Sequence, residues 1–256
     1  MRSIAIINQK GGSGKTTTTV NLAAALGELK RRVLVVDLDP QGSASLWLGI
    51  RNGGPGLREV FAGKKNLADL VLATQTPGVE VVPSSQWLTG VEKTLSGQDG
   101  AELILRDQLE NSTSQLPWDY ILLDCPPSLG ILTLNALAAT QEVLVTVEAH
   151  VLALYGLSGL LQTIETVRER LNPSLEVSGI LACRVDTRNR LTQEVVNTLR
   201  KHFGELVFEI VIRNNVRLAE APSFGLPITQ YDTSSIGAAD YRSLAKEVIK
   251  QEKKEE

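Results

Sequence analysis

The residues of this chain best suited to chemistry lie in two short runs and at one isolated aspartate. The runs are Gln9-Lys10-Gly11-Gly12-Ser13-Gly14-Lys15-Thr16-Thr17 and Asp37-Leu38-Asp39-Pro40-Gln41-Gly42, and the aspartate is Asp124. Glycines at 11, 12 and 14 let successive backbone N–H groups turn inward, and such amides, with the positive end of a following helix, suit phosphate oxygens. Lys15 is spaced to reach the β- and γ-phosphates, and the Thr16 hydroxyl to ligate Mg²⁺. The run therefore points to Mg·ATP. A glycine-rich turn with an incidental lysine is the plain alternative, but Gly-Lys-Thr between a strand and a helix has no common structural use. A dinucleotide site fails on spacing, because Thr17 stands where the third Gly or Ala belongs.

The aspartates complete that chemistry. Asp37 and Asp39 end an apolar run, and Pro40 forces a turn directly after them. A carboxylate beside the γ-phosphate orients a water in line for attack, since phosphoryl transfer is mostly positioning. A turn or helix-cap aspartate is the competing reading. Trp118-Asp-Tyr-Ile-Leu-Leu-Asp124-Cys-Pro-Pro-Ser-Leu-Gly130 is another apolar run ending in Asp. Asp124 could hold a Mg²⁺ shell from the side opposite Thr16.

These groups need a scaffold that brings strand ends together. Residues 3–7, 32–36, 120–123 and 142–147 are short continuous apolar runs rich in Val and Ile, which read as parallel strands buried on both faces. Between and after them, 16–29, 100–109, 152–171 and 191–203 carry helical periodicity. In the third of these, Leu154, Leu157, Leu161, Ile164 and Val167 recur at intervals of three or four. Alternating strands and helices predict an α/β fold, a doubly wound and mostly parallel sheet flanked by helices. Ligands of such sheets bind at the carboxyl ends of the strands, where the glycine run and the aspartates fall. No Pro/Gly/Ser-rich linker divides residues 1–256, so a single domain is expected.

The glycine run departs from the usual phosphate loop in one way: Gln9 stands where the first Gly belongs, and Lys10 follows it. Lys-Gly-Gly-Ser-Gly-Lys-Thr-Thr resembles the deviant Walker A loop of P-loop NTPases in the ParA/MinD superfamily, and the whole chain is similar to ParA/Soj-type partition ATPases. The resemblance implies that Lys10 crosses into a partner subunit's nucleotide site when two subunits clamp two ATP molecules. It implies that Asp39 is the hydrolytic aspartate, that Asp37 supports Mg²⁺ through water, and that Asp124 is the Walker B acid. Catalytic roles thus fall on Lys10, Lys15 and Asp39, and the metal on Thr16, Asp37 and Asp124. Nucleotide contacts fall on Lys10, Gly11, Gly12, Ser13, Gly14, Lys15, Thr16 and Thr17. Asn214 and Asn215 lie in a segment similar to the adenine-side loop, although Arg213-Asn214 replaces the family's usual Pro-Arg. Arg188 and Arg217 match positions that carry non-specific DNA-binding arginines.

The resemblance implies a cycle. ATP binding drives a homodimer, the dimer binds double-stranded DNA, and a ParB-like or cargo-adaptor partner stimulates hydrolysis, which is slow by itself. The protein would then be cytoplasmic and nucleoid-associated. Composition limits the alternatives. The net charge of −3 does not announce a nucleic-acid binder, so DNA contact would need a local patch. Aromatics at 4% argue against a stacking platform for single strands. The tail Leu244–Glu256 ends without an apolar anchor, which disfavours a MinD-like membrane cycle. An iron–sulfur relative would need a second cysteine suited to a cluster beside Cys125, and a small-molecule ligase or synthetase of the superfamily remains an alternative. Cys125 and Cys183 are expected to be buried structural thiols, and Trp47, Trp87, Trp118, His150 and His202 packing residues.

Overall fold

The computed structural model describes residues 1–95, 97–113 and 118–252, with side chains left aside at 92, 112–113 and 151–155. The first half runs β1 (Arg2–Ile7), α1 (Lys15–Glu28), β2 (Val33–Asp37), α2 (Ser43–Trp47), α3 (Arg58–Phe61), β3 (Leu72–Ala73), β4 (Val79–Val82), α4 (Val91–Leu95) and α5 (Ile104–Thr113). The second half runs β5 (Tyr120–Asp124), α6 (Ile131–Ala139), β6 (Glu142–Glu148), α7 (Val151–Arg170), β7 (Glu176–Cys183), α8 (Arg190–Phe203), α9 (Val216–Glu220), α10 (Ile228–Tyr231) and α11 (Ile236–Glu252).

Among the described residues, seven strands form one sheet in the order β3-β4-β2-β5-β1-β6-β7. Each neighbouring pair is parallel except β3 with β4. The central strands are mostly apolar between their ends because both faces are covered, and alternate residues enter two separate cores. Ala5, Ile7, Leu34, Val36, Ile121 and Leu123 pack with residues of α4 to α8. Ile4, Ile6, Val33, Val35, Tyr120 and Leu122 pack with residues of α1, α2 and α11. The sheet is thus doubly wound, as the alternation of strands and helices predicts.

Three strands add to the four expected. Val-Glu-Val-Val of β4 and Leu-Ala of β3 are too short to stand out in sequence. β7 is interrupted by Gly179, which a strand reading disfavours. Its missing side chain is occupied by Phe208: a Cβ built at Gly179 would lie 2.2 Å from the ring. The helix expected at 100–109 starts later, after a 3₁₀ turn at Ala101–Leu103. Asn135 of α6 sets that boundary from outside, accepting from Leu105 N–H (3.0 Å) and donating to the Ala101 carbonyl (2.8 Å). α7 lies within one residue of the expected 152–171, with Leu157, Ile164 and Val167 buried and Leu161 half-buried; the Leu154 side chain lies outside the description.

α11 buries Tyr241, Leu244, Ala245 and Val248 in the core shared with α1. Arg2 fastens its end, donating to the Val248 carbonyl (2.5 Å) and pairing with Glu142 (2.6 Å). Residues 253–256 of the tail lie outside the description. Among the described residues, no helix is long and apolar enough to cross a membrane. Cys125 and Cys183 are buried free thiols. Trp47 and Trp118 are buried, whereas Trp87 is more than half exposed beside Arg58.

The candidate nucleotide site

β1, β2, β5, β6 and β7 all deliver a loop or an end residue to one edge of the sheet. The loop after β1 uses the left-handed region at Gly12 (φ 75°) and Gly14 (φ 93°), the second of which caps α1. Side-chain-bearing residues adopt that conformation at a cost, and a Cβ on Gly14 would also press on Cys183 at 3.3 Å. Ser13 is buried, its hydroxyl 3.3 Å from that of Thr146 in β6.

Behind the loop, the functional side chains are interlocked. Thr16 Oγ1 donates to Asp124 Oδ2 (2.7 Å) and Thr19 Oγ1 to Asp124 Oδ1 (3.0 Å). Asp37 and Asp124 face each other in the β2–β5 register, and both are fully buried. Asp37 Oδ2 accepts from the Ser45 N–H (2.8 Å) and hydroxyl (2.6 Å), which anchors the start of α2. Burial raises both carboxyl pKa values, and their mutual repulsion reinforces the rise at Asp124. Lys15 is buried as well; loss of water lowers its pKa, and the carboxylates of Asp124 and Asp39 oppose that fall.

Asp39 stands further out. Its Oδ1 accepts from the Gln41 N–H (3.0 Å), and its carbonyl accepts from Ser84 Oγ (2.5 Å), whose own N–H donates to Ser45 Oγ (3.0 Å). One hydrogen-bonded chain thus joins the two aspartates of the second run through Ser45 and Ser84.

These elements wall a cleft of 390 Å³, within the range of small-molecule sites. Residues 11–17 and Asp39 line one side; Arg184, Asn214, Asn215 and Tyr241 line the other. Asn215 caps α9, its Oδ1 accepting from Leu218 N–H (3.2 Å). The loop holding both asparagines is fastened by Arg213, which forks onto Asp240 (2.5 and 3.1 Å), a residue only 1% exposed. The unusual Arg213, which itself lines the cleft, therefore positions the asparagine loop through Asp240.

Lys10 does not line this cleft. Its ammonium lies 3.6 Å from Glu148 at the end of β6, and its side chain is about half exposed. Arg188 sits on the β7–α8 loop, its side chain is 90% exposed, and among the described residues the charged group it touches is Asp186 (3.3 Å). Arg217, on α9, pairs with Glu220 (3.0 Å) and Asp232 (3.7 Å). The two arginines belong to adjacent segments, since Val185 bridges Arg213.

Sequence reasoning missed Thr19, Ser45, Ser84 and Asn21. Thr19 could have been found one helical turn after Lys15. Asn21 is buried, accepts from Ile228 N–H (2.7 Å), donates to the Thr17 carbonyl (2.7 Å), and ties α1 to α10; nothing local marks it.

A family model described as an AAA domain matches residues 1–177. The chain is 44% identical over 255 residues to the chromosome partitioning protein ParA of Caulobacter vibrioides, spanning 99% of this chain and 96% of that one. It is 49% identical over 249 residues to the chromosome-partitioning ATPase Soj of Thermus thermophilus, spanning 97% and 96%. The chain belongs to the ParA/Soj family of ATPases. Its fold is also that of the cobyrinic acid a,c-diamide synthase of Mycobacterium smegmatis, crystallised with ADP and magnesium (TM-score 0.86, 32% identity, 100% of this chain and 97% of that one).

The donor set of this ParA/Soj chain fits that ligand pair. Among the described residues no group of three or more His, Cys, Asp or Glu could hold a metal by itself. The oxygens of Thr16 and Asp124 are hard donors suited to Mg²⁺, which binds proteins through few ligands and takes the rest from phosphate and water. A buried Lys15 beside glycine amides supplies the matching positive charge.

Proposed function

We propose that this ParA/Soj-family ATPase is a DNA-partition or cargo-positioning switch of a single domain, residues 1–256, that pairs on binding ATP. The observation that carries the reading is the split between the two lysines of one loop. Lys15 is buried in the chain's own cleft, whereas Lys10 points away from it at the rim. A rim lysine is suited to the nucleotide of a second, face-to-face copy.

In this reading Lys10, Gly11, Gly12, Ser13, Gly14, Lys15, Thr16 and Thr17 hold the phosphates, and Asn214 and Asn215 the adenine side. Thr16 and Asp124 hold Mg²⁺, with Asp37 supporting the shell from beneath through water. When bound, Mg²⁺ spreads the charge that builds on the phosphate oxygens. Lys15 and the loop amides are preorganised for the same charge, and Asp39 orients the attacking water while its backbone is held by Ser84. Turnover is slow until a ParB-like or cargo-adaptor partner completes the site.

Arg188 and Arg217 give the paired form contacts to DNA phosphates without reading bases, so binding falls steeply with salt. The protein works in the cytoplasm on the nucleoid and not on membrane. The burial of the apolar face of α11 in the chain's own core supports that placement. The test is duplex DNA binding and sedimentation with ADP and with ATP at two salt concentrations. ATP-dependent pairing and salt-sensitive binding are expected. Binding indifferent to nucleotide, or absent, overturns the reading; ATPase activity that depends on a small-molecule substrate and ignores DNA would favour a synthase.

A further inference from the structure

Glu148 closes β6 and reaches cations from two different loops. Its Oε2 lies 3.6 Å from Lys10 Nζ, and its Oε1 lies 3.3 Å from Arg184 Nη1. Lys10 follows β1 and Arg184 follows β7, the two neighbours of β6 in the sheet. One carboxylate therefore ties together the rims on both sides of its own strand.

The backbones beneath are held firmly. Lys10 N–H donates to Asn8 Oδ1 (2.8 Å), and Asn8 Nδ2 donates to the Thr146 carbonyl on β6. Arg184 has φ 55°, a left-handed conformation that a residue with a side chain adopts only where its surroundings impose it. Val185 N–H donating to the Ile212 carbonyl (3.0 Å) and Ala149 N–H to the Cys183 carbonyl (3.1 Å) impose it here. By contrast the side chains are loose: Lys10 and Arg184 are each more than half exposed, and a 250 Å³ recess walled by Gly156, Leu157 and Leu160 opens beside Lys10.

We infer that Glu148 is a positioning residue that holds Lys10 against its own subunit in the nucleotide-free monomer and sets the threshold for ATP-driven pairing. The inference rests on the reading of Lys10 as a residue that serves a second copy of the chain. Pairing requires Lys10 to leave Glu148, and because the pair is symmetric, two such contacts break for each dimer formed. An exposed ion pair shifts an equilibrium by about threefold, so the two together shift dimer dissociation by about tenfold. Glu148 is thus a restraint and not a block.

The experiment is sedimentation with Mg·ATP across a range of protein concentrations, comparing the native chain with Glu148→Gln, after their nucleotide-free melting temperatures are matched. Glu148→Gln is expected to pair at about tenfold lower concentration at about 0.05 M salt, with the gap closing at about 0.5 M as the native contact is screened. An unchanged or raised threshold, or a gap that persists in high salt, overturns the inference. Lys10→Ala/Glu148→Gln is expected to pair no better than Lys10→Ala alone; rescue of pairing in the double variant overturns it. If the native chain never pairs with ATP, it is the proposed function that has failed. If it pairs and Glu148→Gln behaves identically, only the role of Glu148 has.

Discussion

The floor of the cleft and its rim are built from the same kinds of charged residue and behave in opposite ways. On the floor, Lys15, Thr16, Thr19, Asp37 and Asp124 are mostly buried, and their hydrogen bonds run from 2.6 to 3.2 Å. At the rim, Lys10, Glu148 and Arg184 meet at 3.3 to 3.6 Å in contact with water. Burial makes each unpaired charge on the floor costly, so the geometry there is set within one chain. Water screens the rim, so its contacts are weak and exchangeable. On the proposed function, the difference teaches that a site can be rigid where it would grip a ligand and adjustable where a second copy would join.

The comparison breaks first at Lys15. Lys15→Ala is expected to weaken Mg·ATP binding by about a thousandfold, about 4 kcal/mol, in calorimetry, because among the described residues no other buried cation lines the cleft. Binding within tenfold of the native chain would mean that the floor does not grip the nucleotide. Asp39 stands between floor and rim, so Asp39→Ala should retain nucleotide binding while turnover falls about a hundredfold. A phosphate-release assay at the native rate would remove its role.

Arg213 sharpens the comparison from the floor side, because it leaves a buried partner behind. Arg213→Ala strands Asp240 and is expected to cost about 2 kcal/mol, lowering the melting temperature by about 4–8 °C. A change under about 1 °C would class that ion pair with the rim. The smallest effect is a slope with pH. Asp124 has its folded-state pKa raised by burial and by Asp37, so the folded chain without nucleotide keeps a proton that the unfolded chain releases. Its stability should therefore fall as pH rises from about 4.5 to 7, with a slope of about 1 kcal/mol per pH unit, and the slope should shrink in Asp124→Asn to the share that Asp37 contributes. An identical slope in the variant would assign it to other groups.

The doubly wound sheet was legible because parallel strands buried on both faces must carry continuous apolar runs, a pattern visible in β1, β2, β5 and β6. β7 was not, since Gly179 weakens it locally and only Phe208, far along the chain, explains it. The start of α5 was likewise hidden, being set by Asn135 from another helix. In the site, the glycine loop, Lys15, Thr16, Asp39 and Asp124 could be read from type and spacing. Ser45, Ser84 and Asn21 could not, because a serine or asparagine acquires such a role only from what the fold brings to it.

By itself, then, the order of residues determined which groups are available: a nest of amides after the first strand, two lysines five positions apart, and carboxylates at two strand ends. Those features are local, and local chemistry survives in a linear string. Tertiary structure alone decided that one lysine lies buried beside Asp124 and the other rests on Glu148. It also decided that Asp37 anchors α2 and that Arg213 fastens the asparagine loop to Asp240. Each depends on contacts between distant segments, and burial, which sets the strength of a charge, exists only once they have met.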